Sequence, residues 1–68
     1  MRELTIEIVN YGDFFTIWLR HNPTGVSTPY GRQWKKRSTA QKHASMIRKF
    51  HDERGISSEI VERGGRVR

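Results

Sequence analysis

The first third of the chain alternates between apolar and polar residues, a pattern typical of half-buried strands. The apolar sets are Leu4, Ile6 and Ile8 in the first run, and Phe15, Ile17 and Leu19 in the second. Turn-forming residues separate the two runs, and Gly12 among them can adopt a positive φ. We therefore predict a β-hairpin over residues 3–21.

One register of this hairpin matches its side chains across the two strands. With Tyr11 and Gly12 at the tip, each apolar residue faces another apolar residue. The predicted pairs are Ile8 with Phe15, Ile6 with Ile17, Leu4 with Leu19, Thr5 with Trp18, and Glu3 with Arg20. The last pair would be a cross-strand ion pair. We expect this register because a slip of one residue would break all five pairs together.

The middle of the chain carries weaker patterns. Residues 22–29 contain two prolines, a glycine and small polar residues, which predicts a loop. Residues 30–37 have weak strand character, with Trp34 as the large apolar side chain of the basic run. Lysines suit an edge strand, where charge discourages association between strands. We therefore predict a basic third strand over residues 30–37.

An amphipathic helix is predicted over residues 38–54. Ser38-Thr39-Ala40-Gln41 has the form of a capping box, in which Ser38 and Gln41 bind each other's backbone amides. Small, apolar and histidine side chains then recur at helical spacing. They are Ala40, His43, Ala44, Ile47, Phe50 and His51. Gly55 suits the left-handed position that ends many helices.

Residues 56–63 predict a final strand, and residues 64–68 form a tail that either folds back beside it or frays. The whole chain, residues 1–68, is then a single domain. Its element order is strand, strand, strand, helix, strand. We predict an α+β fold, in which a small antiparallel sheet of three to four strands packs one helix on one face.

The net charge of +6 is concentrated in residues 30–54, which contain eight basic and two acidic residues. The remaining residues carry five of each sign. A local positive potential of this kind attracts a polyanionic partner. The chain has no cysteine and no long apolar run, so we expect neither a disulfide scaffold nor a membrane segment, and we expect a cytoplasmic setting.

These charges predict a small basic nucleic-acid-binding module. Its candidate binding residues are Arg20, Arg32, Trp34, Lys35, Lys36, Arg37, Lys42 and Lys49. Phe14 and Trp18 are candidate stacking or interface residues on the sheet face away from the helix. Binding of about five phosphates predicts a log–log salt slope of about −4 to −5 on duplex DNA. The sequence singles out neither DNA nor RNA.

Each of these features has a structural alternative. The basic run also fits a solvated edge strand that lysines keep soluble. Phe14 and Trp18 also fit an open sheet face that is covered by residues 22–29 or by a second copy of the chain. The second hypothesis is therefore a protein-interaction or inhibitor protein, which acts as a homodimer or binds a host factor through Phe14 and Trp18.

We find no catalytic constellation in the sequence. The three histidines are not spaced like metal ligands, no glycine-rich phosphate loop precedes a helix, and no serine has the context of a nucleophile. We expect a protein that is not an enzyme, with no metal and no cofactor.

Residues 14–20, a turn, residues 32–38 and the helix after them resemble the arm-type DNA-binding domains of tyrosine recombinases. In that family a three-stranded sheet packs on one helix and enters the major groove. The resemblance implies DNA-facing positions for Trp18, Arg20, Arg32, Trp34, Lys35 and Lys36. The strand predicted after the helix departs from the family pattern. The chain also resembles small bacterial and phage domains with several strands and one helix, which implies a phage or mobile-element origin but no activity.

Overall fold

The computed structural model describes residues 2–64, which form a four-stranded sheet with one helix packed on it. The elements are β1 (Leu4–Asn10), β2 (Phe15–His21), β3 (Val26–Trp34), α1 (Arg37–Asp52) and β4 (Ser58–Gly64). The predicted α+β fold and element order are confirmed. The predicted tail lies outside the described residues, except for Gly64, which ends β4.

The sheet is mixed rather than wholly antiparallel. Its strand order is β3-β2-β1-β4, with β4 parallel to β1. Strands β1 and β3 are both antiparallel to β2, so they run in the same direction. The 16 residues of α1, about 24 Å long, return the chain to the end where β1 and β3 begin. A strand that follows such a crossover runs parallel to the strand before it.

The hairpin register differs from the prediction by two residues. Ile8 pairs with Ile17, and Ile6 pairs with Leu19. A four-residue connection, residues 11–14, replaces the predicted two-residue tip. The Tyr11 N–H donates to the Phe14 carbonyl at 2.9 Å. A shift of two residues leaves every side chain on its predicted face but changes its partner across the ladder.

The connection between β2 and β3 is a short turn rather than the predicted loop of residues 22–29. The Gly25 N–H donates to the His21 carbonyl at 2.7 Å, and Gly25 has a φ of +77°. The ladder resumes at Val26, and β3 ends at Trp34 instead of continuing to residue 37. Pro29 fits inside this strand because β3 lies at an edge of the sheet, where a missing N–H need not break a ladder bond.

Strand β3 contains a bulge opposite Ile17. Thr16 pairs with Gln33 and Trp18 pairs with Pro29, so residues 30–32 all lie across from one residue of β2. Gly31, in the middle of the bulge, has a φ of +90°, a conformation that favours glycine. The bulge breaks the simple alternation of faces along β3.

Helix α1 begins at Arg37, and the predicted capping box is absent. Lys36 is the N-cap residue and makes no side-chain capping bond. The Gln41 side chain instead donates to the Glu62 carboxylate at 2.6 Å. At the other end, the predicted role of Gly55 is confirmed. Its φ is +78°, its N–H donates to the Asp52 carbonyl, and the Ile56 N–H donates to the His51 carbonyl, as in a Schellman motif.

The core lies between α1 and one face of the sheet. Its buried members are Leu4, Ile6, Ile8, Ile17, Trp34, Ala40, Ala44 and Ile47. Ala40 and Ala44 are fully buried, and their small side chains let the helix backbone lie close to the strands.

The Glu62 carboxylate joins the first turns of α1 to β4. It accepts from Gln41 and from the Arg37 guanidinium, with an ion-pair distance of 2.6 Å to Arg37. These hydrogen bonds, from Gln41 first and then from Arg37, lower the pKa of Glu62 below its ordinary value of 4.5. Because the pKa is lowered by folding, the charged carboxylate stabilises the folded state at neutral pH.

We expect Glu62→Gln to lower the free energy of unfolding at pH 7 by about 0.2–1 kcal/mol, the range for an exposed ion pair. The stabilisation should be complete above the unfolded-state pKa and should disappear as the pH falls through the lower folded-state pKa. Urea denaturation of both proteins across this window measures the difference. A difference between the two proteins that stays constant from pH 7 down to pH values well below 4.5 would contradict this role.

Candidate nucleic-acid interface

Three basic residues lie together at one end of the sheet. Trp34 at the end of β3 pairs with Phe15 at the start of β2, so the link from β3 to α1 adjoins residues 11–14. Arg32, Lys35 and Lys36 are exposed there, and within residues 2–64 none of them forms an ion pair. We call Arg32, Lys35 and Lys36 the basic end. Asp13 lies in the adjoining connection, and its single negative charge is outnumbered by the three positive charges of the basic end.

The start of α1 adds to the positive potential of the basic end. The first amides of a helix have no intrahelical acceptor, and the helix dipole is positive there. The first turn of α1 has no acidic residue, and the Lys36 side chain provides no capping bond. Lys35 and Lys36 therefore oppose the dipole rather than stabilise the helix. An anion bound at this end would interact favourably with the dipole and with both lysines.

An open groove of about 430 Å³ lies beside the basic end, on the sheet face away from α1. Tyr11, Phe14, Trp18, Arg32 and Gln33 line it, together with smaller residues of β2 and β3. The rings of Tyr11 and Phe14 stack with their centroids 5.1 Å apart. We call this the aromatic groove. Because Arg32 belongs to both the groove and the basic end, the two form one continuous surface.

The chemistry of this surface suits an unpaired nucleotide. Guanidinium and ammonium groups bind phosphate oxygens, and they do so without reading the base sequence. Aromatic faces stack on bases of any identity. The partly exposed Trp18 and the exposed Tyr11 line the same groove as Arg32.

Arg20, a predicted phosphate ligand, is held by a carboxylate within the domain. Glu7 is only 5 % exposed, although it lies on the sheet face that no helix covers. Its two oxygens bind Arg20 at 2.9 Å and Arg63 at 3.1 Å. Removing a buried carboxylate from water is costly unless opposite charge compensates it, which is what these two arginines do. Arg20 therefore serves the fold in this structure.

The other predicted cations lie on different surfaces. Arg37 is paired with Glu62 at the β4 side of the helix. Lys42 and Lys49 are exposed on α1, and helical spacing sets them opposite the buried Ala40, Ala44 and Ile47. They therefore lie on the far side of the helix from the aromatic groove. The predicted binding residues therefore do not all lie on one surface.

Trp34 was also predicted to contact nucleic acid, and the structure places it in the core. It is 8 % exposed, faces α1, and lies with its ring centroid 4.8 Å from that of His43. Tyr30 stacks on it at 6.3 Å and covers it further. Trp34 pairs with Phe15, whose side chain packs against the same core, and this pairing places Trp34 on the helix-covered face. Base stacking on Trp34 would require the core to open.

Sequence reasoning missed Tyr11 as a candidate site residue. It was assigned to the tip of a two-residue turn, where its ring had no defined neighbour. The four-residue connection instead brings Tyr11 against Phe14 at the edge of the groove. Two aromatic residues, one on each side of a Gly-Asp pair in a turn, are the pattern that could have indicated this stack.

The three histidines are separated and have local partners. His21 lies 3.0 Å from the Thr24 hydroxyl, His51 lies 2.9 Å from the Ile47 carbonyl, and His43 packs on Trp34. In the part of the chain that the structure describes, no cluster of three or more metal-ligating side chains occurs.

Comparison of the chain with protein-family models, with curated protein sequences and with solved structures found no match. Across residues 2–64, no helix is long and apolar enough to cross a membrane.

Proposed function

We propose that this protein is a small nucleic-acid-binding module that prefers single strands. The basic end binds phosphates, and the aromatic groove stacks an unpaired base. The observation that supports this most directly is the position of Arg32, which lines the groove next to Trp18 and lies within three residues of Lys35. Phosphate and base contacts would thus fall within one nucleotide step of each other.

The preference for single strands follows from the position of the aromatic residues. Tyr11, Phe14 and Trp18 line an open groove and do not project as a helix or loop that could enter a duplex groove. A base must be unstacked to reach their ring faces, and only an unpaired strand offers such bases at low cost. A duplex can still bind the basic end through its phosphates, with lower affinity.

Titration of fluorescently labelled single strands and a duplex of equal length, at several salt concentrations, tests the proposal. Contacts to three phosphates predict a log–log slope of about −2 on single strands, since each contact adds about −0.7. We expect the single strand to bind more tightly than the duplex at every salt concentration. Binding that is insensitive to salt, or that favours the duplex, would contradict the proposal.

The same groove could instead be covered by a second copy of the chain, which is the alternative that the Phe14 and Trp18 face suggests. Sedimentation distinguishes the two cases. A dimer that dissociates on Trp18→Ala would assign the groove to self-association. We expect the wild-type protein and Trp18→Ala both to sediment as monomers.

A further inference from the structure

A second groove, of about 330 Å³, runs between α1 and β3 on the opposite side of the sheet from the aromatic groove. Leu19, Tyr30, His43, Met46, Ile47 and Phe50 line it. Three of its large side chains are strongly exposed: Tyr30 at 41 %, Met46 at 58 % and Phe50 at 50 %. Exposed apolar side chains that gather in one groove of a small domain mark an interaction surface. We call this the helix groove.

The walls of the helix groove are held in place by neighbouring side chains. Tyr30 stacks on the buried Trp34 at 6.3 Å. Phe50 lies edge-on to His51, and the Arg54 guanidinium lies 3.9 Å from the centre of its ring. Met46 and Phe50 are one helical turn apart, so they project side by side. A ligand would therefore meet a surface that is already formed, which lowers the entropic cost of binding.

The rim of the helix groove is basic. Lys42 lies one turn before Met46, Lys49 lies three residues after it, and Arg54 covers Phe50. Glu53, three residues after Phe50, adds one negative charge on the same side, so the rim keeps a net positive charge. Within residues 2–64 these three cations form no ion pair. A second copy of the chain, packed symmetrically on this groove, would bring three more cations against them. Like charges across an interface disfavour that arrangement, so the charge argues for an acidic occupant.

We propose that the helix groove docks an acidic amphipathic segment of another protein. Apolar side chains of the segment would lie between Tyr30 and Phe50, and its carboxylates would bind Lys42 and Lys49. Short amphipathic segments that dock in apolar grooves use this combination of apolar anchors and complementary charge. Because the groove is separate from the basic end, this interaction is independent of the proposed nucleic-acid binding.

Selection of short random peptides displayed on phage against the purified protein tests this inference. We expect the enriched peptides to combine apolar residues at helical spacing with an excess of Asp and Glu. Fluorescence anisotropy with one enriched peptide then compares variants. Lys42→Gln with Lys49→Gln should weaken its binding roughly tenfold, since two rim ion pairs are lost. Met46→Gln, an exposed and nearly isosteric change, should also weaken it several-fold.

The matched control is Lys35→Gln with Lys36→Gln, which removes the same charge from the other surface. It should leave the affinity for the peptide unchanged and should weaken nucleic-acid binding. Enrichment of basic peptides, failure to enrich any sequence, or equal loss in both double variants would each overturn the proposal. So would self-association of the wild type that Met46→Gln abolishes, because it would assign the groove to a second copy. The peptide-binding results do not depend on whether nucleic acid binds.

Discussion

Replacing Arg32, Lys35 and Lys36 together by glutamine is expected to weaken single-strand binding roughly 100-fold at about 0.1 M salt. Each phosphate contact that is lost also loses its counterion release, which lowers the affinity roughly fivefold. The salt dependence should nearly disappear at the same time. The three residues are exposed and form no ion pair within residues 2–64, so the variant should fold like the wild type. Titration of a labelled single strand, with circular dichroism to verify folding, measures both effects.

The matched control replaces Lys42, Arg48 and Lys49 by glutamine. This variant loses the same charge, but from the exposed surface of α1. We expect its affinity for the single strand to change less than about threefold, since screening weakens interactions beyond about 10 Å. Equal losses in the two triple variants would show that the total charge, and not the basic end, governs binding.

Trp34→Ala is expected to lower the free energy of unfolding by about 3–5 kcal/mol, the usual cost of removing a buried large aromatic side chain. A domain of 68 residues has about 3–10 kcal/mol in total at about 0.05–0.15 kcal/mol per residue. The variant should therefore be largely unfolded or marginally stable at 25 °C. The loss is large because Trp34 is only 8 % exposed and packs against His43 of α1. Urea denaturation followed by circular dichroism measures the loss.

Trp18→Ala is the matched control for that experiment, because it removes the same side chain from the opposite face of the sheet. Trp18 is only partly buried, so we expect a loss of about 1 kcal/mol and retained cooperative unfolding. Its affinity for single strands should fall by about 1–3 kcal/mol, the contribution of one stacked base. If instead Trp34→Ala folded normally and lost binding, Trp34 would be a contact residue and its place in the core would be wrong.

The distribution of carboxylates matters as much as that of the basic residues. Glu7 binds both Arg20 and Arg63, and Glu62 binds Arg37, so two carboxylates hold three arginines within the domain. Opposite charges a few ångströms apart largely cancel each other's potential at a distance. Within residues 30–54, Arg37 is paired with Glu62, and Lys42 and Lys49 lie on the far side of α1 from the aromatic groove. The predicted five phosphate contacts therefore reduce to the three cations of the basic end.

The hairpin shows how much of the fold could be predicted. Alternation assigned Ile6, Ile8 and Ile17 to one face, and the structure keeps all three there, in the core. The period of two depends only on local backbone geometry, so it can be recognised from the sequence alone. The partner of each residue was wrong, because the register depends on the length of the connection. The residues of this connection, Asn10, Tyr11 and Gly12, fit a two-residue turn as well as the observed four-residue connection.

The sequence alone determined the alternating strands, the helical face with its small alanines, and the stop signal at Gly55 that follows α1. Each depends on neighbours within about one turn or one strand. Tertiary structure alone decided which cations remain unpaired and which tryptophan is buried. Glu62 reaches Arg37 across 25 residues, and pairing with Phe15 places Trp34 on the sheet face that α1 covers. Such pairings depend on how separate elements pack against each other, and local sequence patterns do not contain that information.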